Sequence, residues 1–184
     1  LGSIHPADPE ALVNLELVAQ AGFKGIKVHP EYQEFRFSDR SFDPVWRRCV
    51  ELGLFVLTHA GADVGFPPPW HSNPRELAQF HHRFPELKLV LAHFGGWGMW
   101  DEVERELIGL SVYLDTAFLP GYLEPKRLAD MIRRHGAERV LFGTDSPWCD
   151  QKEAIEYMRR LELTPEEYAK VMGQNAAGLL GIKA

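Results

Sequence analysis

Three histidines and two aspartates carry the chemical interest of this sequence, because each closes a short apolar run. The runs are Gly-Ile-Lys-Val-His29, Leu-Phe-Val-Leu-Thr-His59, Lys-Leu-Val-Leu-Ala-His93, Val-Tyr-Leu-Asp115 and Val-Leu-Phe-Gly-Thr-Asp145. His59 and Asp145 form the strongest pair. A neutral imidazole and a carboxylate suit a borderline divalent cation such as zinc, which lowers the pKa of bound water to about 7 and yields hydroxide at neutral pH. His93 follows Leu89 and Leu91 at strand alternation, so all three are expected to face one interior, with the imidazole at its mouth. There it either ligates a metal or polarises a substrate oxygen. Taken singly, each residue also has a structural reading: a hydrogen-bonded core histidine, or a turn opened by Asp145-Ser146-Pro147.

Lys27 and His29 share a strand face. A lysine inside a sheet is costly to bury charged unless it is paired or modified, so a salt bridge or the anchoring of substrate is expected ahead of a carbamylated lysine bridging two metals. His29 precedes Pro30 and opens a loop with Tyr32, Phe35 and Phe37 that reads as a pocket wall; site and structural roles stand equal for it. Trp148, shortly after Asp145, joins Lys27 and His29 as a candidate substrate contact. Asp115 and Thr116 have two readings of equal weight, orientation of a ligand or a local cap. His5 frames a turn before Pro6, and His71, His81, His82 and His135 read as surface. The stiff apolar loop Gly65-Phe66-Pro67-Pro68-Pro69-Trp70 leaves the same rim as His59 and either lids the mouth or packs.

The elements that must position these groups are legible in the spacing. Runs rich in Val, Leu, Ile and Phe, separated by helix-like segments, read as buried parallel strands of a βα repeat. Parallel strands deliver their C-terminal ends to one rim, where the chemistry of an α/β barrel sits. Asp8-Pro9, Asp43-Pro44 and Asn73-Pro74 are cap-and-proline openings of helices. The first of these is expected to carry its apolar face on Leu12, Leu15 and Ala19. Further helices are expected near 98–108, 125–135 and 151–161, and Thr164-Pro165-Glu166-Glu167 has the spacing of a capping box before a helix pair ending at Leu180. A sixth run, Gly2-Ser3-Ile4-His5, makes six βα units, whereas a complete eightfold barrel takes roughly 250 residues. Either two units are missing from the N-terminal side of a (β/α)8 TIM barrel, or the sheet is open and doubly wound. No Gly-x-Gly-x-x-Gly follows a strand, and Gly95-Gly96-Trp97-Gly98 lacks the Lys-Ser/Thr of a phosphate loop. The barrel, as one domain over 1–184 holding about six of eight units, is therefore expected.

Composition bounds the partners. A net charge of -6 without a long basic run gives no footprint for nucleic acid or an anionic membrane, which leaves small molecules. No apolar stretch approaches the roughly 20 residues of a membrane span, and a cytoplasmic protein is expected. Two cysteines make no disulfide framework, and Cys49 reads as a small core residue. The chain opens inside a strand without an initiator Met. Upstream polypeptide, or association into a homo-oligomer across open strand edges, is the expectation.

Several phrases together resemble the amidohydrolase superfamily, in particular its second large branch of metal-dependent hydrolases and related decarboxylases. They are Gly25-Ile26-Lys27-Val28-His29-Pro30, Thr58-His59-Ala60-Gly61, Leu91-Ala92-His93-Phe94-Gly95-Gly96, Tyr113-Leu114-Asp115-Thr116, Phe142-Gly143-Thr144-Asp145-Ser146-Pro147-Trp148 and Asn175-Ala176-Ala177. The resemblance implies that His59 binds metal, that His93 binds metal or acts on substrate, and that Asp145 binds metal and handles the proton. It also implies an opening His-x-His strand, which this sequence does not contain. The resulting expectation is a zinc-dependent hydrolase cleaving a C–N or C–O bond of a small substrate, with Asp145 and His93 catalytic. Non-oxidative decarboxylation on the same metal is the alternative, and a non-catalytic binding or scaffold protein is a third reading.

Overall fold

The computed structural model describes residues 1–183. Six short strands, β1 (Gly2–Ser3), β2 (Gly25–Val28), β3 (Phe55–Thr58), β4 (Leu89–Leu91), β5 (Tyr113–Asp115) and β6 (Val140–Leu141), form one sheet. Every neighbouring pair is parallel, and the order in space is the order in sequence. A doubly wound sheet reverses its strand order at a switch point. This sheet does not reverse, so it winds as a (β/α) barrel does, and six successive units are present.

The strands are apolar because both of their faces are covered. Ile26, Val56, Leu89, Leu91, Leu114 and Val140 are fully buried, with registers such as Ile26 opposite Val56 and Val56 opposite Leu89. Helices α1 (Ala11–Gln20), α2 (Asp43–Glu51), α3 (Pro74–Arg83), α4 (Trp100–Glu106), α5 (Pro125–His135) and α6 (Gln151–Arg159) alternate with the strands or follow β6. The chain then continues through α7 (Pro165–Ala169), a π-helical turn and α8 (Asn175–Leu180). Arg48 of α2 pairs with Glu16 of α1, and Arg127 and Arg134 of α5 pair with Glu104 of α4, fixing neighbouring helices along their exposed flanks.

Local capping follows the sequence in two places and departs from it in two. Asn73 accepts the Glu76 N–H at 2.9 Å, and Thr164 and Glu167 form a reciprocal capping box. Asp8, in contrast, lies outside α1: its carboxylate accepts the Glu10 N–H at 2.8 Å, and the helix begins at Ala11. Asp43 is the first residue of α2, since a 3-10 turn capped by Asp39 precedes it. The inner face of α1 is Ala11 and Leu15, while Leu12 is 44% exposed.

Of the aromatic segment after His29, Phe35 and Phe37 turn into the core, and Tyr32 borders the pocket. Phe37 packs at a tilt against Phe80 and Trp46, with ring centroids 4.4 and 5.4 Å away, and Phe35 lies beside both Phe37 and Trp46. Tyr32 alone of that group stays exposed. Cys49 is fully buried among these helices. Two of the histidines expected at the surface are also buried: His81 bonds the Ser111 hydroxyl at 3.0 Å, and His135 is held between Gly109 and Val112. Both sit at helix C-terminal ends, where they reach under the sheet to polar groups of the β4–β5 connection. Among the described residues no helix is long and apolar enough to cross a membrane.

Candidate functional site

A cavity of about 260 Å³ opens at the C-terminal rim of the sheet, lined by Lys27, His29, His59, His93, Asp145 and Trp148 together with Tyr32, Ala62, Asp63, Val64, Gly65, Trp97 and Phe118. It lies near the lower end of ligand pockets, which run to roughly 300–1,000 Å³. All six residues singled out from the sequence as catalytic, metal-binding or substrate-binding therefore border one space. The structure differs from expectation in how two of them arrive. His93 is beyond the end of β4, in a turn with φ 56°, and Asp145 lies well past β6, exposed, with φ 59°. Neither is carried by strand alternation. Left-handed backbone at a non-glycine residue persists where surroundings enforce it, often at functional sites.

The loops are set by backbone pairing above the sheet. After His59, Ala60 accepts the Trp97 N–H and the Ala62 N–H donates to Trp97, each at 2.9 Å, so the β3 and β4 loops run on as a parallel bridge. Gly61 permits this approach: a Cβ there would stand 2.2 Å from the Trp97 nitrogen, and its φ is 93°. Trp97 is thereby presented to the cavity, beside Phe118 and Tyr122 with ring centroids 6.1 and 5.3 Å away. Of the stiff loop at 65–70, only Gly65 borders the cavity; Trp70 closes the loop on itself by donating to the Phe66 carbonyl at 3.1 Å.

His59 and His93 face each other, Nδ1 to Nε2, at 3.2 Å. Their other nitrogens point at backbone carbonyls, His59 Nε2 to Ala62 at 3.2 Å and His93 Nδ1 to Ala117 at 3.1 Å. A carbonyl only accepts, so those nitrogens carry the protons, and in the neutral rings the two facing nitrogens are both bare lone pairs. Two lone pairs at this distance are placed to share a cation, whereas the other tautomer of either ring would join them by an N–H···N bond. Burial, then the neighbouring His93, His29 and Lys27, push His59 down to about 2, so its ring is neutral at physiological pH. The spacing suits a metal ion, since two nitrogens bound tetrahedrally at about 2.0–2.1 Å stand roughly 3.3 Å apart. Donation of the second ring N–H to a carbonyl is also how metal-binding histidines are held.

His29, His59 and Asp63 bring one donor atom each within 4.8 Å of one another as well. The His29 and His59 rings, however, are stacked at 4.4 Å with only 12° between their planes, whereas His59 and His93 meet at 64°. In-plane lone pairs on stacked rings run parallel and do not converge on one ion. The facing pair is the better cradle for an ion, and His29 Nε2 instead lies 3.4 Å from an Asp63 carboxylate oxygen. Burial, then the Lys27 charge, depresses His29 to about 4, so it is neutral at physiological pH. Burial also lowers Lys27, against the attraction of Asp115 and Asp145, and raises the Asp115 carboxyl. Among the lining residues, Asp63, Trp97 and Phe118 were not singled out from the sequence. The Gly95-Gly96-Trp97-Gly98 turn was the one local signal for any of them.

A parallel, sequentially wound βα sheet with imidazoles and carboxylates gathered at its C-terminal rim has the architecture of a (β/α) barrel, with its candidate site where such barrels carry theirs. The amidohydrolase family matches residues 1–182, and the chain belongs to that family. It is 22% identical over 213 aligned positions to the decarboxylase orsB of Emericella nidulans, a match covering 90% of this chain and 63% of that protein. In structure it resembles the 5-carboxyvanillate decarboxylase LigW of Sphingomonas paucimobilis, with a TM-score of 0.77 and 22% identity over 100% of this chain and 66% of that one. It also resembles a dihydroxybenzoic acid decarboxylase of Polaromonas sp. JS666, described with bound manganese and 2-nitroresorcinol, with a TM-score of 0.68 and 20% identity over 93% and 64% of the two chains. The chain thus spans about two thirds of the length of these relatives. Their names correct the expectation of hydrolysis, since these similar proteins are decarboxylases. The physical reason is that both reactions use the same metal-binding side chains, so the residue types do not separate them.

Proposed function

We propose that this chain contributes the active-site rim of a metal-dependent, non-oxidative decarboxylase acting on a small carboxylic acid built on a planar ring. The observation that carries the reading is the pair of bare imidazole nitrogens of His59 and His93, 3.2 Å apart inside a cavity that also holds one lysine. The names of the relatives support loss of carbon dioxide as the reaction.

His59, His93 and Asp145 would hold a divalent ion. Zinc and manganese both accept imidazole and carboxylate donors, and manganese is the ion named for the Polaromonas protein. Bound there, such an ion would supply positive charge that attracts substrate oxygens. Lys27 presents the ammonium that pairs with an anionic group of the substrate. Trp97 and Phe118 form an apolar wall for a flat ring, and His29 and Trp148 also border the cavity. When the carbon–carboxylate bond breaks, its electron pair remains on the ring carbon, which takes up one proton while carbon dioxide leaves. Asp145, at the mouth, is the carboxyl that carries this proton.

The test is incubation of the metal-stripped protein, resupplied with manganese or zinc, with a panel of mono- and dihydroxybenzoates and carboxyvanillates, measuring carbon dioxide. Metal-dependent release from at least one ring acid is expected, and its loss in His59→Asn. Absence of carbon dioxide from the whole panel with metal demonstrably bound would overturn the proposal.

A further inference from the structure

Asp115 is not among the residues that line the cavity, yet one of its oxygens organises a residue that does. Oδ1 accepts the backbone N–H of His93 at 2.8 Å and that of Ala117 at 3.0 Å. Ala117 in turn offers its carbonyl to His93 Nδ1 at 3.1 Å. The three bonds close a circuit through Asp115, Ala117 and His93. The first bond pins the His93 backbone and the second pins the segment whose carbonyl fixes its ring. The backbone needs pinning: His93 and Phe94 lie in succession at φ 56° and 57°, a conformation that non-glycine residues hold only where surroundings enforce it.

From this geometry we infer that Asp115 is a positioning residue for His93, holding the ring in the tautomer that leaves Nε2 bare toward His59. The inference rests on the proposed decarboxylase reading for its consequence in turnover, but not for the tautomer itself. Without the acceptor at position 115, the Ala117 carbonyl is free to move and the His93 N–H is left without its partner. The ring then has no fixed donor contact, and protonation of Nε2 competes with Nδ1. A bare Nε2 is the form that a metal or a substrate proton needs. The rest of the segment is independently tied down, because Thr116 exchanges hydrogen bonds with Gly143 at 3.1 and 3.2 Å. Loss of the Asp115 side chain therefore acts on His93 rather than dissolving the strand end.

The experiment compares wild type, Asp115→Ala and Asp115→Asn as full-length protein labelled with ¹⁵N-histidine. The His93 tautomer is read by NMR without added metal, assigned by its loss in His93→Gln, and carbon dioxide release is measured with manganese. Wild type and Asp115→Asn should show a single Nδ1–H tautomer, since the amide oxygen still accepts both N–H groups. Asp115→Ala should show mixed tautomers and lose about 10²-fold in kcat, the scale of a small misplacement, with KM changed far less. Asp115→Ser, too short to take both bonds, gives the same readouts should the alanine variant not fold. An unchanged tautomer in the folded alanine or serine variant would overturn the inference, as would loss of the tautomer in Asp115→Asn, which would make charge rather than acceptance the active property. Failure of wild type to release carbon dioxide would instead count against the decarboxylase reading and leave the tautomer result to decide this one.

Discussion

His135 gives a pH dependence of stability that follows from its contacts. The ring is 1% exposed; Nδ1 accepts the Gly109 N–H at 3.3 Å and Nε2–H donates to the Val112 carbonyl at 2.9 Å. Both nitrogens are satisfied only while the ring is neutral. Protonation would break the Gly109 bond and place a charge in the interior, and burial accordingly pushes the group from 6.5 down to about 4. The unfolded chain binds the proton near 6.5, so this contribution is present above that pH and is lost as the pH falls toward 4. Linkage between these two values gives a loss of about 2 kcal/mol from pH 7 to pH 5, and about 3 kcal/mol once the folded ring also titrates. The perturbation is His135→Gln, which removes the titration. Urea unfolding of both proteins at pH 7 and pH 5, followed by circular dichroism, gives the difference of differences, in which the other histidines cancel. Wild type should lose about 2 kcal/mol more than the variant. Equal losses within the error of the extrapolation would refute the assignment of that pH dependence to His135.

Gly61→Ala should destabilise the fold by more than about 2 kcal/mol and perturb the environment of Trp97, because the new Cβ meets backbone at a positive φ; tryptophan fluorescence with urea unfolding checks both. Lys27→Met should raise KM for a ring acid at least about tenfold, the loss of one charge-assisted contact, measured by initial-rate kinetics; an unchanged KM would remove Lys27 from substrate binding. Manganese or zinc at a hundredfold excess over its dissociation constant should stabilise the metal-stripped protein by about 2.7 kcal/mol. Differential scanning calorimetry should show that gain disappear in His59→Asn.

The sheet was legible because burial on both faces leaves a local imprint: Ile26-Lys27-Val28, Val56-Leu57 and Leu89-Val90-Leu91 read as strands and are strands. The rim was legible in residue identity and less so in geometry. His93 and Asp145 were expected at the ends of alternating strands, but they reach the cavity through left-handed turns whose shape depends on bonds from Asp115 and from the adjacent loops. Asp63, Trp97 and Phe118 escaped because the bridge that presents Trp97 joins Ala60 and Ala62 to a segment more than thirty residues away, and no local period encodes such a contact. His81 and His135 were misread for a related reason. A histidine near a helix end looks polar in sequence, and only the packed β4–β5 connection supplies the partners that let it be buried. Hydrolysis and decarboxylation share their metal-binding side chains, so the choice between them waited on relatives.

The proposed reaction removes a carboxylate and puts a proton on carbon. The most direct measurement is turnover of a ring acid in D₂O with manganese, following product by proton NMR and gas by mass spectrometry. One carbon dioxide per product is expected, with one deuterium on the ring carbon that bore the carboxylate, and no product in metal-stripped protein. Substrate consumption that releases an amine or alcohol instead, with no carbon dioxide and no ring deuteration, would contradict it.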